Sequence, residues 1–106
     1  MSMKGSASGR PIIAALNLLS RRWILRIIWE LRDGALGFRD LQTRCEKMSP
    51  DTLSTRLNEL KVAGIVKSNG QGHWQLSSIG HEMEPALSAL NGWSQSWAEQ
   101  LEKDSN

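Results

Sequence analysis

Apolar residues recur at helical spacing in five segments of this chain and at strand spacing in one. Behind Pro11, the residues Ile12, Ile13, Leu16 and Leu19 have the spacing of a first helix. Ser20 is placed to cap a second, in which Ile24, Ile27, Ile28 and Leu31 recur at i, i+3, i+4, i+7. Trp23 and Trp29 widen that stripe, Arg21, Arg22 and Arg26 add charge, and Asp33-Gly34 stops it. A third helix starts near Gly37 with Phe38, Leu41 and Cys45 inward. The fourth is signalled at both ends. Ser49 reads as its N-cap, Pro50 as its first residue, and Asp51 suits the positive helix end. It runs to Ala63, where Gly64 can take the left-handed cap that brings Ile65 back onto Leu60.

Alternation then replaces the helical period. Asn69-Gly70 predicts a two-residue type I′ turn, with Ile65 facing Trp74. Ile65, Trp74 and Leu76 then share one side, and Val66, His73 and Gln75 the other. Ser77 is placed to cap a last helix carrying Met83, Leu87, Leu90, Trp93, Trp97 and Leu101, with Pro85 in its first turns. Helices followed by a short hairpin and a closing helix predict a mainly α (α+β) winged helix-turn-helix with a two-stranded β-hairpin wing. Residues 1–10 are expected to form a flexible tail, 11–80 the winged unit, and 81–106 a C-terminal helix and tail.

Charge sharpens this picture. Residues 1–67 carry 12 Lys/Arg against 6 Asp/Glu, whereas residues 68–106 carry 1 against 5. A basic front suggests an anionic partner for the first two thirds, although scattered solubilising charge explains the same numbers. No apolar run is long enough to span a bilayer, and the start lacks the apolar core of a secretory signal. A single cysteine supports no intrachain disulfide framework and fits a reducing cytoplasm.

On a helical wheel, Leu53, Leu57 and Leu60 of the fourth helix cluster and fix its buried side. Asp51, Ser54, Thr55 and Asn58 point away from them, and Thr52, Arg56 and Glu59 lie toward one flank. Short hydroxyls, an amide and a carboxylate can approach base edges in a DNA major groove: Thr against a thymine methyl, Asn on adenine, Asp on a cytosine amine. Arg56, Arg39 and Lys67 are candidate phosphate contacts, as are the amides near Ser49. An ordinary solvated surface has the same residue types. The helix before this one and the hairpin after it favour DNA.

The ordered set of motifs resembles the HxlR-type family of bacterial winged-helix transcription regulators, related in architecture to the MarR regulators. Leu18-Leu19-Ser20-Arg21-Arg22-Trp23 stands for the family's Leu-x-Gly-Gly-Lys-Trp. Gly34, Phe38-Arg39-Asp40-Leu41, Ser49-Pro50-Asp51-Thr52-Leu53-Ser54-Thr55-Arg56-Leu57, Leu60 and Ala63-Gly64-Ile65-Val66 follow. Trp74-Gln75-Leu76-Ser77-Ser78-Ile79-Gly80 matches Tyr-x-Leu-Thr-x-x-Gly, and Trp93 comes after it. The resemblance covers residues 12–97 and implies a homodimer on operator DNA, its fourth helix in the major groove. Three features depart from the family: its N-terminal Cys-Pro is absent, Ser20-Arg21 replaces Gly-Gly, and the wing is shorter. The first removes the thiol sensing of some members from what the resemblance implies.

The apolar length of the last helix exceeds what one small domain readily covers. Leu87, Leu90, Trp93 and Trp97, with Ile12 and Leu16 of the first helix, are therefore expected at a two-fold interface between flanking dimerisation helices. The alternative packs that stripe onto the first helix of the same chain. Trp23, Trp29, Trp93 and Trp97 are alternatively read as an aromatic pocket for a small-molecule effector, against plain packing. Cys45 reads as a buried cysteine, with Arg44 and Lys47 near enough in sequence to favour a thiolate were it exposed. His73 and His81 lack metal spacing, and no activated nucleophile, acid–base pair or phosphate loop is present. The sequence thus predicts no enzyme, no cofactor and no metal. The competing reading is a winged-helix module for protein contact that does not read DNA.

Overall fold

In a computed structural model the described residues are 9–105, so most of the expected N-terminal tail lies outside them. The order is α1 (Pro11–Leu19), α2 (Ile24–Leu31), β1 (Leu36–Gly37), α3 (Phe38–Arg44), α4 (Pro50–Val62), β2 (Val66–Ser68), β3 (His73–Leu76), α5 (Ser78–His81) and α6 (Glu84–Asp104). The strands form one antiparallel sheet in the order β1-β3-β2. This is a winged helix-turn-helix with its hairpin wing and a flanking helix at each end. The short β1, pairing Leu36 with Trp74, adds a strand that the sequence pattern did not predict.

The core is built from the predicted stripes. Ile24, Ile27, Ile28 and Leu31 of α2 meet Leu41, Cys45 and Met48, then Leu53, Leu57 and Leu60 of α4. Val66, Leu76 and Leu87 complete it. Burying each such aliphatic side chain stabilises the fold by about 1.5–3 kcal/mol. Leu87 is only 3% exposed. Its expected place at a dimer interface is therefore corrected: it anchors α6 to its own protomer.

Three local expectations change. Ser20 ends α1 instead of capping α2, and its hydroxyl donates to the Asn17 carbonyl. The N-cap of α2 is Trp23, in the left-handed region at φ 77°, a strained conformation for a bulky residue. The hairpin pairs Val66 with Leu76 and Ser68 with Trp74, not Ile65 with Trp74. Asn69 accepts amide hydrogens from Gln71 and His73, while Gly70 and Gly72 take positive φ, so the loop is longer than two residues. That register buries both Val66 and Leu76; the expected one would have left Val66 outward. Finally, Ser77 caps α5 and not the long helix, which begins at Glu84 with Pro85 in its first turn. Among the described residues no helix is long and apolar enough to cross a membrane.

Candidate nucleic-acid interface

The two ends of α4 are secured by different means. At the start, the Ser49 hydroxyl accepts the Thr52 amide hydrogen at 3.1 Å and lies 3.2 Å from the Thr52 hydroxyl, to which it donates. Loss of such a cap typically costs about 1 kcal/mol. At the finish, Gly64 has φ 80° and the Ile65 amide donates to the Leu60 carbonyl, as the sequence predicts. The amides expected to hold a phosphate near Ser49 are mostly engaged. Pro50 has none, Thr52 donates to the cap, and Leu53 donates to the Ser49 carbonyl. Among the helix's own first amides, that of Asp51 has no such partner within the described residues.

The approach to α4 is fixed by a second set of contacts. Glu46 and Lys47 both adopt positive φ, turning the chain sharply between α3 and α4. Arg26 reaches from α2 into that turn: its guanidinium donates to the Arg44 carbonyl at 2.7 Å, meets Glu46 at 3.4 Å and pairs with Glu30 at 2.8 Å. Hydrogen bonding to Glu30, above all, raises the Arg26 pKa. The Gln42 amide closes the other side by donating to the Met48 carbonyl. Neither the role of Arg26 nor that of Gln42 was expected. The i,i+4 spacing of Arg26 and Glu30 was legible, whereas the Arg44 carbonyl 18 residues away was not.

With its leucines buried, α4 presents Asp51, Ser54, Thr55 and Asn58 to solvent, continued by Lys61 and the apolar Val62. Thr52 is half-buried on the flank, its hydroxyl occupied by the cap. Arg56 differs most from expectation. Its side chain is 24% exposed and donates to Glu59 at 2.7 Å, and Arg21 meets the other oxygen of Glu59 at 3.3 Å. That second contact has ion-pair distance without hydrogen-bond alignment, since the same oxygen has no hydrogen-bond partner. Arg56 Nε is also buried without a partner. A phosphate contact by Arg56 would require breaking its pair with Glu59. Arg39 at the start of α3 and Lys67 on the wing are exposed, and no ion pair among the described residues holds them.

The other candidates separate. Ile12, Leu16, Leu90, Trp93, Trp97 and Leu101 are exposed, so within the protomer α6 does not fold its stripe onto α1. Trp93 and Trp97 stack at 5.5 Å between ring centroids. Trp29 borders a shallow hollow with Leu87 and Leu90 and lies under Arg32, while Arg22 covers Trp23. Cys45 is fully buried, and burial pushes its thiol pKa up despite the opposing charge of Arg26. The expected influence of Arg44 and Lys47 is thus exerted by Arg26, with Glu30 and Glu46 acting the other way. Among the described residues no three His, Cys, Asp or Glu gather to hold a metal.

The family model described as HxlR-like helix-turn-helix matches residues 18–102. YvaP of Bacillus subtilis, described as an uncharacterised HTH-type transcriptional regulator, is 28% identical over 89 residues, covering 78% of this chain and 82% of that protein. Among solved structures, quinone-bound YodB from B. subtilis superposes with a TM-score of 0.74 at 26% identity, covering 80% of this chain and 96% of the other. The redox regulator HypR in its reduced form shares the fold, with a TM-score of 0.74 at 22% identity and coverage of 89% and 99%.

Proposed function

Because the chain belongs to the HxlR-like helix-turn-helix family, we propose that it is a non-enzymatic transcriptional regulator that binds double-stranded DNA as a homodimer. The observation that carries this reading is the face of α4: Asp51, Ser54, Thr55 and Asn58, exposed opposite three buried leucines. Residues 11–80 form the DNA-binding unit. Residues 81–106, with Ile12 and Leu16, supply the contacts between copies through Leu90, Trp93 and Trp97. Two-fold symmetry sets the two α4 helices about 34 Å apart on a pseudo-palindromic operator. Ser54, Thr55, Asn58 and Asp51 address base edges, and Arg39 and Lys67 hold phosphates. Ser49 and Thr52 shape the start of the helix, and Arg56, held by Glu59, shapes its flank. A bacterial cytoplasm is the setting for such a protein.

Selection of bound duplexes from a random pool tests the reading. A two-fold symmetric consensus is expected, with Thr55→Ala or Asn58→Ala changing the preference among sites by about 1–3 kcal/mol. Sequence-blind binding, or an unchanged ranking of sites in both variants, counts against it. The rival reading, a module for protein contact, draws on the exposed Val62 and on the arginines already paired within the fold. It predicts no duplex binding at low salt.

A further inference from the structure

We propose that the cleft between α1 and the α4–β2 corner is a binding site for an uncharged, largely apolar small molecule about the size of two fused rings. Ala14, Ala15, Leu18 and Leu19 of α1 form one wall. Ala63, Ile65, Ile79 and Met83 form the other. The space measures about 260 Å³, and an apolar cavity of about 150 Å³ already accommodates benzene. Three of its lining residues, Ala14, Ala15 and Ala63, have side chains of a single methyl. No charged or polar side chain lines it, so an ionised ligand would lose its hydration without replacement.

The far wall is rigid. Ser77 donates to the Gly64 carbonyl at 2.6 Å, its amide donates to that of Ile65 at 2.8 Å, and its hydroxyl accepts from Gly80. A side chain on Gly80 would collide with the Ile65 carbonyl. The α1 wall contains no fully buried residue and is joined to α2 through the strained Trp23. A second copy of the chain is a poorer occupant than a small molecule. Ala14 and Leu18 lie at least about a third of a turn around α1 from Ile12 and Leu16, which face such a copy in the proposed dimer, while Ala15 and Leu19 border that face. The site does not depend on the DNA-binding reading.

The test titrates the full, DNA-free chain with 2-naphthol while following side-chain methyl resonances, with naphthalene-2-sulfonate as the charged counterpart. Saturable shifts centred on Ile65, Ile79 and Met83 are expected, with the sulfonate at least ten-fold weaker. Ala15→Leu and, separately, Ala14→Leu should weaken 2-naphthol at least ten-fold while the melting temperature of at least one variant stays at the parent value. Non-saturating shifts, equal affinity for the sulfonate, or full affinity in a folded filled variant would overturn the proposal. So would contacts between these methyls and a second copy in the ligand-free protein.

Discussion

Replacing Trp97 by alanine should dissociate the proposed homodimer while leaving the protomer folded. The indole is 53% exposed in the isolated protomer and lies stacked on Trp93, itself 59% exposed. A tryptophan presents up to about 250 Å² of surface, so close to half of it, about 130 Å², remains for a partner to cover. At about 25 cal/mol per Å² that surface amounts to about 3 kcal/mol per side chain. In a two-fold interface each substitution counts twice, giving about 6 kcal/mol if coverage were complete and about 3 kcal/mol if half of it were covered. Since about 1.4 kcal/mol is a factor of ten, the dimer Kd should rise at least about 100-fold. Sedimentation equilibrium of parent and variant measures this directly, with the thermal transition of the variant at low concentration as the check on folding. A folded variant whose Kd lies within three-fold of the parent would remove the α6 stripe from the interface.

Gly80→Ala should destabilise the fold by about 1–3 kcal/mol in denaturant melts, because the new Cβ meets the Ile65 carbonyl and comes within 3.2 Å of Leu76 Cβ; unchanged stability would show that the α5–β2 junction yields freely. Glu59→Gln removes the carboxylate that neutralises Arg56 and Arg21, so non-specific duplex affinity should rise at low salt while stability falls, and a fall in both would contradict the charge argument. Cys45 should react with Ellman's reagent far more slowly than the unfolded chain at pH 8, because burial raises its pKa above the ordinary value. Above the unfolded pKa the folded thiol holds a proton the unfolded one sheds, so its contribution to stability is complete below the unfolded pKa and declines as pH rises through the folded one. A reaction rate equal to that of the unfolded chain would refute the burial argument.

What was legible in the chain was periodic or capped. The stripe from Ile24 to Leu31 and the Leu53, Leu57, Leu60 set each report a buried face directly. Ser49-Pro50 and Gly64 report helix ends because each relieves a specific backbone constraint. The hairpin register was misread for a physical reason: Asn-Gly favours a two-residue turn locally, but burial of Val66 against Leu76 decides the pairing. The start of α2 at Trp23 was invisible because no propensity places a bulky residue at positive φ. The pairing of Arg21 with Glu59 joins the α1–α2 joint to the fourth helix across a separation of 38 positions, and no local pattern encodes such a contact. Exposure of the α4 face, by contrast, follows from the wheel alone.

The excess of basic residues over acidic ones in the first 67 positions overstates the field that DNA would meet. Arg21, Arg26, Arg44 and Arg56 all hold carboxylates of the same protomer. With Arg39 and Lys67 as the proposed phosphate contacts, the proposed dimer would neutralise about four phosphates, and log K should fall against log salt with a slope of about −3.6. Between about 50 and 200 mM salt that is a loss of about 150-fold in affinity. Were those four arginines also released to phosphates, about 12 would be neutralised and the slope would approach −11. A titration of the selected duplex therefore distinguishes the two arrangements. A slope steeper than about −7 would mean that DNA dismantles the Glu30 and Glu59 pairs on binding. In that event Arg56 would return as a phosphate contact, and the geometry of the free α4 flank would not be that of the complex.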